Sequence, residues 1–379
     1  MSEVDIRYMH RALELSKRAL YTSPNPRVGA VVVKDGEVLG EGWHEGTGSP
    51  HAETQALAGI DPTGATMYVT LEPCTHHGHT APCAPAIADA GIRRVVVGLE
   101  DPDPRVRGEG CSYLRDRGIQ VDVGIAGGEV AGLLAPYLRH RRTGRAFLTL
   151  KLASSLDGRL AAADGTSRWI TGPDTRAFVH RRRAEVDAIL IGAGTALADD
   201  PTLTARGVEV VRQPVRIVVD RTGRISPGLA LMRGPHETVA PISRADGSYG
   251  RAAHAATIVA TSSAVPHDAR LAWKSAGAEV IELRATDDGV DVGSLLVMLG
   301  ERGFTEVLCE GGAELATYLL RRDLVDRLEI HSGGVLLGAH GRGIGDLGVG
   351  TIADAPRWRR ISTTAGGDDA ISIYEPERG

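Results

Sequence analysis

Aromatic residues make up only 4% of this 379-residue chain, and no excess of positive charge accompanies them, the formal net charge being −5 at pH 7. Residues 1 to 145 hold 16 Lys and Arg against 18 Asp and Glu, and the remainder holds 27 against 30, so neither part is basic. The chain therefore lacks both the electrostatic footprint and the stacking platforms of a polynucleotide binder, and a small-molecule substrate is expected instead. No long apolar run occurs, and Glu3 and Asp5 stand where a leader would be basic; a membrane span and a secretory signal are thereby disfavoured, and a cytoplasmic protein is expected. Four scattered cysteines do not make a disulfide framework. No internal repeat is present. The length suits two domains, each with its own core.

What the chain does have is concentrated. His51-Ala52-Glu53, Pro73-Cys74 and Pro82-Cys83 place one histidine, one glutamate and two cysteines within 33 positions. His51, Cys74 and Cys83 read as three ligands of a zinc ion whose fourth position is left to water, the arrangement of a catalytic site. Such an ion lowers the pKa of water from about 15.7 to near 7, and Glu53 can carry the proton to a departing amine. The histidines that follow Cys74 offer a rival, a closed four-ligand structural site, but such a site has no use for Glu53.

H-x-E followed by P-C-x-x-C is the signature of zinc deaminases acting on nucleobases. Here eight residues, Thr75 to Pro82, separate the cysteines instead of two. This longer loop, preceded by Pro24-Asn25-Pro26 and Val28-Gly29-Ala30-Val31, resembles the deaminase half of the bifunctional riboflavin-biosynthesis enzymes, the RibD family. Asn25 carries a donor and an acceptor suited to a pyrimidine edge, or makes an Asx-turn between two prolines; the resemblance favours the former. It also implies that a basic residue just before Thr80 contacts the substrate phosphate. That position is His79, and His44 and His76 are candidates to share its work.

Around these residues, apolar periodicity predicts a helix over Asp5–Tyr21 capped by Asp5, a hairpin from Val28 to Leu39 with an Asp35-Gly36 turn, and a helix opening at His51. Strands are expected at Thr66–Leu71, Val95–Gly98 and Val121–Val123, helices at Ala84–Gly91, Cys111–Gly118 and Glu129–Leu138, and His140–Arg145 as a solvated basic connector.

From Phe147 a second pattern begins. Ser167-Arg168-Trp169, the apolar run to Gly192-Ala193-Gly194-Thr195, Asp199-Asp200-Pro201, and Glu310-Gly311-Gly312 together resemble the pyrimidine reductase half of the same family, which is similar to dihydrofolate reductase in fold. This half carries no G-x-G-x-x-G after its first strand, so a Rossmann site is not supported. Its two glycine turns, each after an apolar strand, nevertheless suit a dinucleotide. The resemblance implies that Ala153, Trp169, Thr195, Asp199 and Gly312 touch NADPH, and that Ser167, Arg183, Leu203, Arg206 and Glu310 hold the substrate. Arg183 and Arg206 are either phosphate clamps or, for Arg183 in its run of three arginines, part of a solvated face. Asp157 and Asp199 either polarise the reacting carbon or cap turns. Arg221 and Arg224 follow a strand where a 2′-phosphate would be read. Residues 222 to 255 read as an irregular excursion, and Ile371–Tyr374 as an edge strand.

The expected architecture is α/β throughout: a cytidine-deaminase-like domain over 1–145 with a mixed sheet and flanking helices, then a dihydrofolate-reductase-like domain over 146–379. The expected cofactors are Zn2+ and NADPH, the substrate a pyrimidine ribosyl phosphate. Neither nucleic acid nor membrane is expected as partner, and assembly as a homo-oligomer is. The rival function is a nucleoside or RNA deaminase with an accessory binding domain.

Overall fold

The computed structural model describes residues 2–76, 81–103, 106–243 and 249–377. It divides into two compact units, one formed by 1–144 with 243–250 and the other by 145–242 and 251–379.

The first unit contains α1 (Glu3–Ser16), β1 (Gly29–Lys34), β2 (Glu37–Trp43), α2 (Ala52–Leu57), β3 (Thr66–Leu71), α3 (Cys83–Asp89), β4 (Arg94–Leu99), α4 (Glu109–Arg115), β5 (Gln120–Val123), α5 (Gly127–Leu133) and α6 (Ala135–Thr143). Its sheet has the order β2-β1-β3-β4-β5, antiparallel from β2 to β3 and parallel beyond. Strand alternation sorts the core into two layers. Val31, Val33, Tyr68 and Val96 pack on α1, α5 and α6, whereas Ala30, Val32, Met67, Val69, Val95 and Val97 pack on α2, α3 and α4. The expected hairpin turn is present, with Asp35 and Gly36 both at positive φ.

Three expectations in this part of the chain need correction. Ser2, not Asp5, caps α1, and the helix stops at Ser16. Asp5 is instead buried beneath the helix, where it pairs with Arg94 at 2.7 Å and accepts a hydrogen bond from Tyr68. The expected Glu129–Leu138 helix is two helices that break at Leu134, because Pro136 in the first turn of α6 has no N–H to continue the ladder. The basic run is not a solvated connector: His140 is buried inside α6, and Arg145 is buried against Asp326 within the second unit.

The second unit contains β6 (Phe147–Ser154), α7 (Pro173–Glu185), β7 (Ala188–Gly192), α8 (Ala193–Asp199), β8 (Val215–Val219), β9 (Glu237–Ser243), β10 (Tyr249–Ala255), β11 (Thr257–Ser262), α9 (His267–Ser275), β12 (Glu279–Leu283), β13 (Ala285–Thr286), β14 (Gly289–Val290), α10 (Val292–Glu301), β15 (Glu306–Cys309), α11 (Ala313–Arg321), β16 (Arg327–Ser332), β17 (Trp358–Gly366) and β18 (Asp369–Pro376). Nine strands form one sheet in the order β12-β11-β8-β7-β15-β6-β16-β18-β17, parallel as far as β16 and antiparallel in the last two pairs. Leu148, Leu150, Leu190 and Ile217 face α10 and α11; Ile189, Ile191, Val218 and Leu308 face α8 and Trp273 of α9.

Here too the sequence misleads at the margins. The Ile371–Tyr374 segment lies inside β18, which is flanked on both sides, and β17 is the outer strand. The 222–255 stretch is not wholly irregular, since β9 and β10 pair within it and Leu231 and Met232 are buried.

Candidate active sites

In the first unit α2 lies directly on β2, and glycines make that approach possible. A Cβ at Gly40 would stand 2.1 Å from the Ala56 carbonyl oxygen, and one at Gly42 2.2 Å from that of Ala52. The helix start so placed puts His51 at the N-cap and Glu53 in the first turn. β3 then delivers Cys74 just beyond its end, and Cys83 opens α3.

The three expected ligands converge. The His51 Nδ1 lies 3.2 Å from the Cys83 Sγ and 3.6 Å from the Cys74 Sγ, and all three donor atoms lie within 4.8 Å of one another. Donors around a tetrahedral zinc stand about 3.5–3.8 Å apart, given bonds of about 2.0–2.3 Å, so the set fits the ion. Hydrogen bonding from Cys83 pulls the Cys74 thiol down to about 4, with His51 adding to the effect, while Cys83 is pushed up. The thiolate is the form in which a cysteine binds a metal. Glu53 is 4% exposed, and burial pushes its carboxyl up to about 7, where a group can both take and give a proton near neutrality.

The other expected residues of this unit are arranged unequally. His44 is buried and edge-on to His51 at 5.6 Å, and its Nε2 lies 3.1 Å from the Asn25 Nδ2, so these two belong to the same site. His76 is exposed. His79 lies outside the described residues. Outside the expected set, Asp103 is buried and pairs with Arg141 at 3.5 Å. Glu72 was not foreseen. Its carboxylate accepts from the backbone N–H groups of Asp101, Gly108 and Cys111, which fixes the loop beside Cys74.

In the second unit a cavity of about 1730 Å³ is lined by all ten expected residues: Ala153, Trp169, Thr195, Asp199 and Gly312, with Ser167, Arg183, Leu203, Arg206 and Glu310. The two glycine turns meet there, the Gly312 N–H donating to the Thr195 Oγ1 at 2.9 Å. Trp169 is 66% exposed beneath the Arg176 guanidinium, an open flat face toward the cavity. Glycine-edged helix starts, a flat aromatic face and several arginines fit a dinucleotide phosphate.

Arg183 is not on a solvated face. Its side chain is 12% exposed, and its Nε and Nη2 donate to the two Glu310 oxygens at 2.6 and 2.8 Å. Burial alone would push Glu310 up, but this guanidinium outweighs it and holds the carboxyl below its ordinary range. Two expected substrate contacts thus hold each other. Arg206, by contrast, is exposed and tethered to the Thr204 hydroxyl at 2.7 Å. Asp157 settles the alternative left open above: it accepts from Ser155 and from the N–H groups of Leu337 and Gly338, and it caps a turn away from the cavity lining. Asp199 receives Arg168 at 3.3 Å. Arg221 and Arg224 line the same cavity.

Sequence reasoning missed Lys151. It is one of only four lysines in the chain and projects from β6 into the cavity with no hydrogen bond or ion pair among the described residues. Burial pulls its ammonium below the ordinary range, against Glu310 and Glu329. Its signal was a lone charge inside the apolar run Phe147–Ala153.

Known proteins match both parts of the chain. Residues 2–99 match the cytidine and deoxycytidylate deaminase zinc-binding region, and residues 146–372 match the RibD C-terminal domain. The chain is 40% identical to riboflavin biosynthesis protein RibD of Escherichia coli, over 93% of this chain and 94% of that one. It is 39% identical to RibD of Aquifex aeolicus, over 98% and 99%. Among solved structures, Acinetobacter baumannii RibD superposes with a TM-score of 0.82 at 34% identity, covering 99% of each chain. The Thermotoga maritima diaminohydroxyphosphoribosylaminopyrimidine deaminase/5-amino-6-(5-phosphoribosylamino)uracil reductase does so with a TM-score of 0.80 at 34% identity, covering 98% and 99%. With a zinc-type deaminase region followed by a RibD reductase domain, the chain belongs to the RibD family of bifunctional riboflavin-biosynthesis enzymes.

Proposed function

We propose that the chain catalyses two steps on one substrate. The first is hydrolytic loss of the 2-amino group of 2,5-diamino-6-ribosylamino-4(3H)-pyrimidinone 5′-phosphate; the second is reduction of the ribosyl to the ribityl side chain. Residues 1–145 form the deaminase domain and 146–379 the reductase domain. The observation that carries the reading is the convergence of His51, Cys74 and Cys83 within 4.8 Å beside a buried Glu53, in one chain with a phosphate-type cavity.

When bound, zinc supplies water of lowered pKa, and NADPH supplies the hydride equivalent. His51, Cys74 and Cys83 hold the ion. Glu53 removes a proton from the attacking water and returns one to the departing ammonia as the exocyclic bond between ring carbon C2 and the amino nitrogen breaks. Asn25 and His44, already joined, present hydrogen-bonding groups to the pyrimidine, and His76 and His79 serve its phosphate. In the second domain Ala153, Trp169, Thr195, Asp199 and Gly312 seat the dinucleotide, with Ser167, Leu203 and the Arg183–Glu310 pair shaping the substrate side. Arg206, whose fork is exposed, takes the phosphate.

The substrate is a small molecule rather than a nucleic acid, and the enzyme works in the cytoplasm as a homo-oligomer, for which size-exclusion chromatography with light scattering is the test. No described helix is long and apolar enough to cross a membrane. The activity itself is tested by following ammonia release and NADPH oxidation in one tube. Glu53→Gln is expected to retain zinc and lose about 10²–10⁴ in ammonia release while still oxidising NADPH with the deaminated substrate. Loss of both reactions in a folded, zinc-loaded variant contradicts independent sites.

A further inference from the structure

Behind the reductase cavity lies a layer of buried charge between α7 and the strands β15, β6 and β16. Arg182 donates to the Glu306 Oε1 at 2.7 Å, to the Glu329 Oε1 at 3.0 Å and to the Glu185 Oε2 at 2.8 Å. This clamp satisfies only one oxygen of Glu329. The Oε2 takes no hydrogen bond, and the His331 Nε2 stands 3.9 Å from it. His331 is fully buried, edge-on to Phe178, with neither ring nitrogen bonded.

An unpaired carboxylate oxygen in the interior is costly, and a layer that only fastened α7 to the sheet would be as well served by apolar side chains. The register suggests what the oxygen does. β16 runs parallel beside β6, with Glu329 opposite Lys151 and His331 opposite Ala153. The charged and titratable groups that act on Lys151 are Glu310 from the turn after β15, Glu329 and His331 from β16, and Arg183 from α7. Glu310 and Arg183 are spent on each other. Glu329 is therefore the carboxylate whose charge is left over for the lysine.

We propose that Glu329 is a positioning residue of the reductase domain: through the oxygen that Arg182 does not bind, it holds the Lys151 ammonium at the cavity wall without touching substrate or cofactor. His331 keeps that oxygen dry without neutralising it, because burial holds the imidazole below its ordinary range and hence uncharged. Glu306 is the internal comparison. It shares the Arg182 clamp, but its strand places it opposite Phe147 and its carboxylate beside Thr149.

The inference rests on reading this cavity as the reductase site, so the test uses a readout that does not need turnover. Reductive methylation of the four lysines is followed by mass spectrometry across pH in the full-length protein, with Lys17, Lys34 and Lys274 as references. Removing a neighbouring negative charge destabilises the ammonium. In Glu329→Gln the Lys151 midpoint is therefore expected to fall by about one to two pH units, the Coulomb term for charges on adjacent strands at an effective dielectric near 20. Glu306→Gln is expected to leave it in place, and ammonia release is expected to be unchanged in both. The alkaline limb of NADPH oxidation should move with the midpoint in Glu329→Gln alone. Equal shifts in the two variants, or none in either, overturn the proposal. If Glu329→Gln does not accumulate folded, Glu329→Asp, with its carboxylate withdrawn by one methylene, is expected to give a smaller downward shift, and an unshifted midpoint there overturns it equally. A wild type that oxidises no NADPH would instead count against the reductase reading, with the methylation midpoints still deciding the role of Glu329.

Discussion

Replacing Gly42 by alanine tests whether the seat of α2 on β2 governs deamination. The added methyl would stand 2.2 Å from the Ala52 carbonyl oxygen and 2.7 Å from the Ala56 backbone nitrogen, both in the helix that carries Glu53. A carbon–oxygen contact needs about 3.3 Å, so helix and strand must part by about 1 Å. A displacement of that size at a catalytic group costs on the order of 10²-fold in rate, and overpacking costs a further 1–3 kcal/mol, roughly, in stability. Ammonia release is therefore expected to fall about 10²-fold, with weakened zinc retention, because His51 sits at the same helix start. NADPH oxidation with the deaminated substrate is expected to be unchanged. The control is Gly132→Ala in α5, where nothing lies within 4 Å of the added Cβ and helix propensity favours alanine by roughly 0.5–1 kcal/mol. Rates come from an ammonia electrode, metal content from elemental analysis and stability from thermal melts. A Gly42→Ala enzyme with full zinc and ammonia release within about threefold of the parent would refute the reasoning, since the 10² estimate leaves no room for it.

Two further outcomes follow from buried charge. Arg94, hydrogen-bonded to Asp5, holds the Asp5 carboxyl well below the usual range, so the pair stabilises the first unit above pH of about 4 and that contribution is lost as pH falls further. Asp5→Asn is expected to cost on the order of 3 kcal/mol at pH 7 and to flatten the acid limb of stability, as read by urea melts at several pH values; an unaltered acid limb contradicts the assignment. Arg206→Ala and Arg183→Ala should part company. The former is expected to raise the reductase KM with little change in melting temperature, whereas the latter leaves Glu310 buried and unpaired and is expected to cost on the order of 3–5 kcal/mol. Similar melting temperatures for the two variants would place Arg183 with Arg206 as a simple phosphate ligand.

Much of the fold can be read from local pattern. The apolar run Thr66–Leu71 is β3 to the residue, and the Asp35-Gly36 pair makes the hairpin turn the sequence announces. His51, Glu53, Cys74 and Cys83 are identifiable because metal and proton chemistry demand particular side chains at short spacings, and short spacings survive in a one-dimensional record. The five residues expected at the dinucleotide and the five expected at the substrate also come to line one cavity, although they are drawn from strands, helices and loops spread between Ala153 and Gly312.

What local pattern could not decide is the fate of charges. Arg182 and Arg183 stand in a run that reads as a solvated face, yet both side chains are mostly covered, because their carboxylate partners lie 124 to 147 positions away on β15, just after it and on β16. Asp5 looks like a helix cap and is a buried counter-ion for Arg94, 89 positions on. Lys151 interrupts an apolar strand, and only the packing of β15, β16 and α7 around it makes a cavity-facing ammonium from what sequence alone shows as an irregularity. The sequence by itself determined most of the elements, the candidate metal ligands and the family, since periodicity and motif spacing are properties of neighbouring residues. The tertiary structure decided which ions are paired, which carboxylate oxygen is left over and which lysine faces the cavity, because a charge is buried or solvated according to partners that the chain supplies only after it has folded.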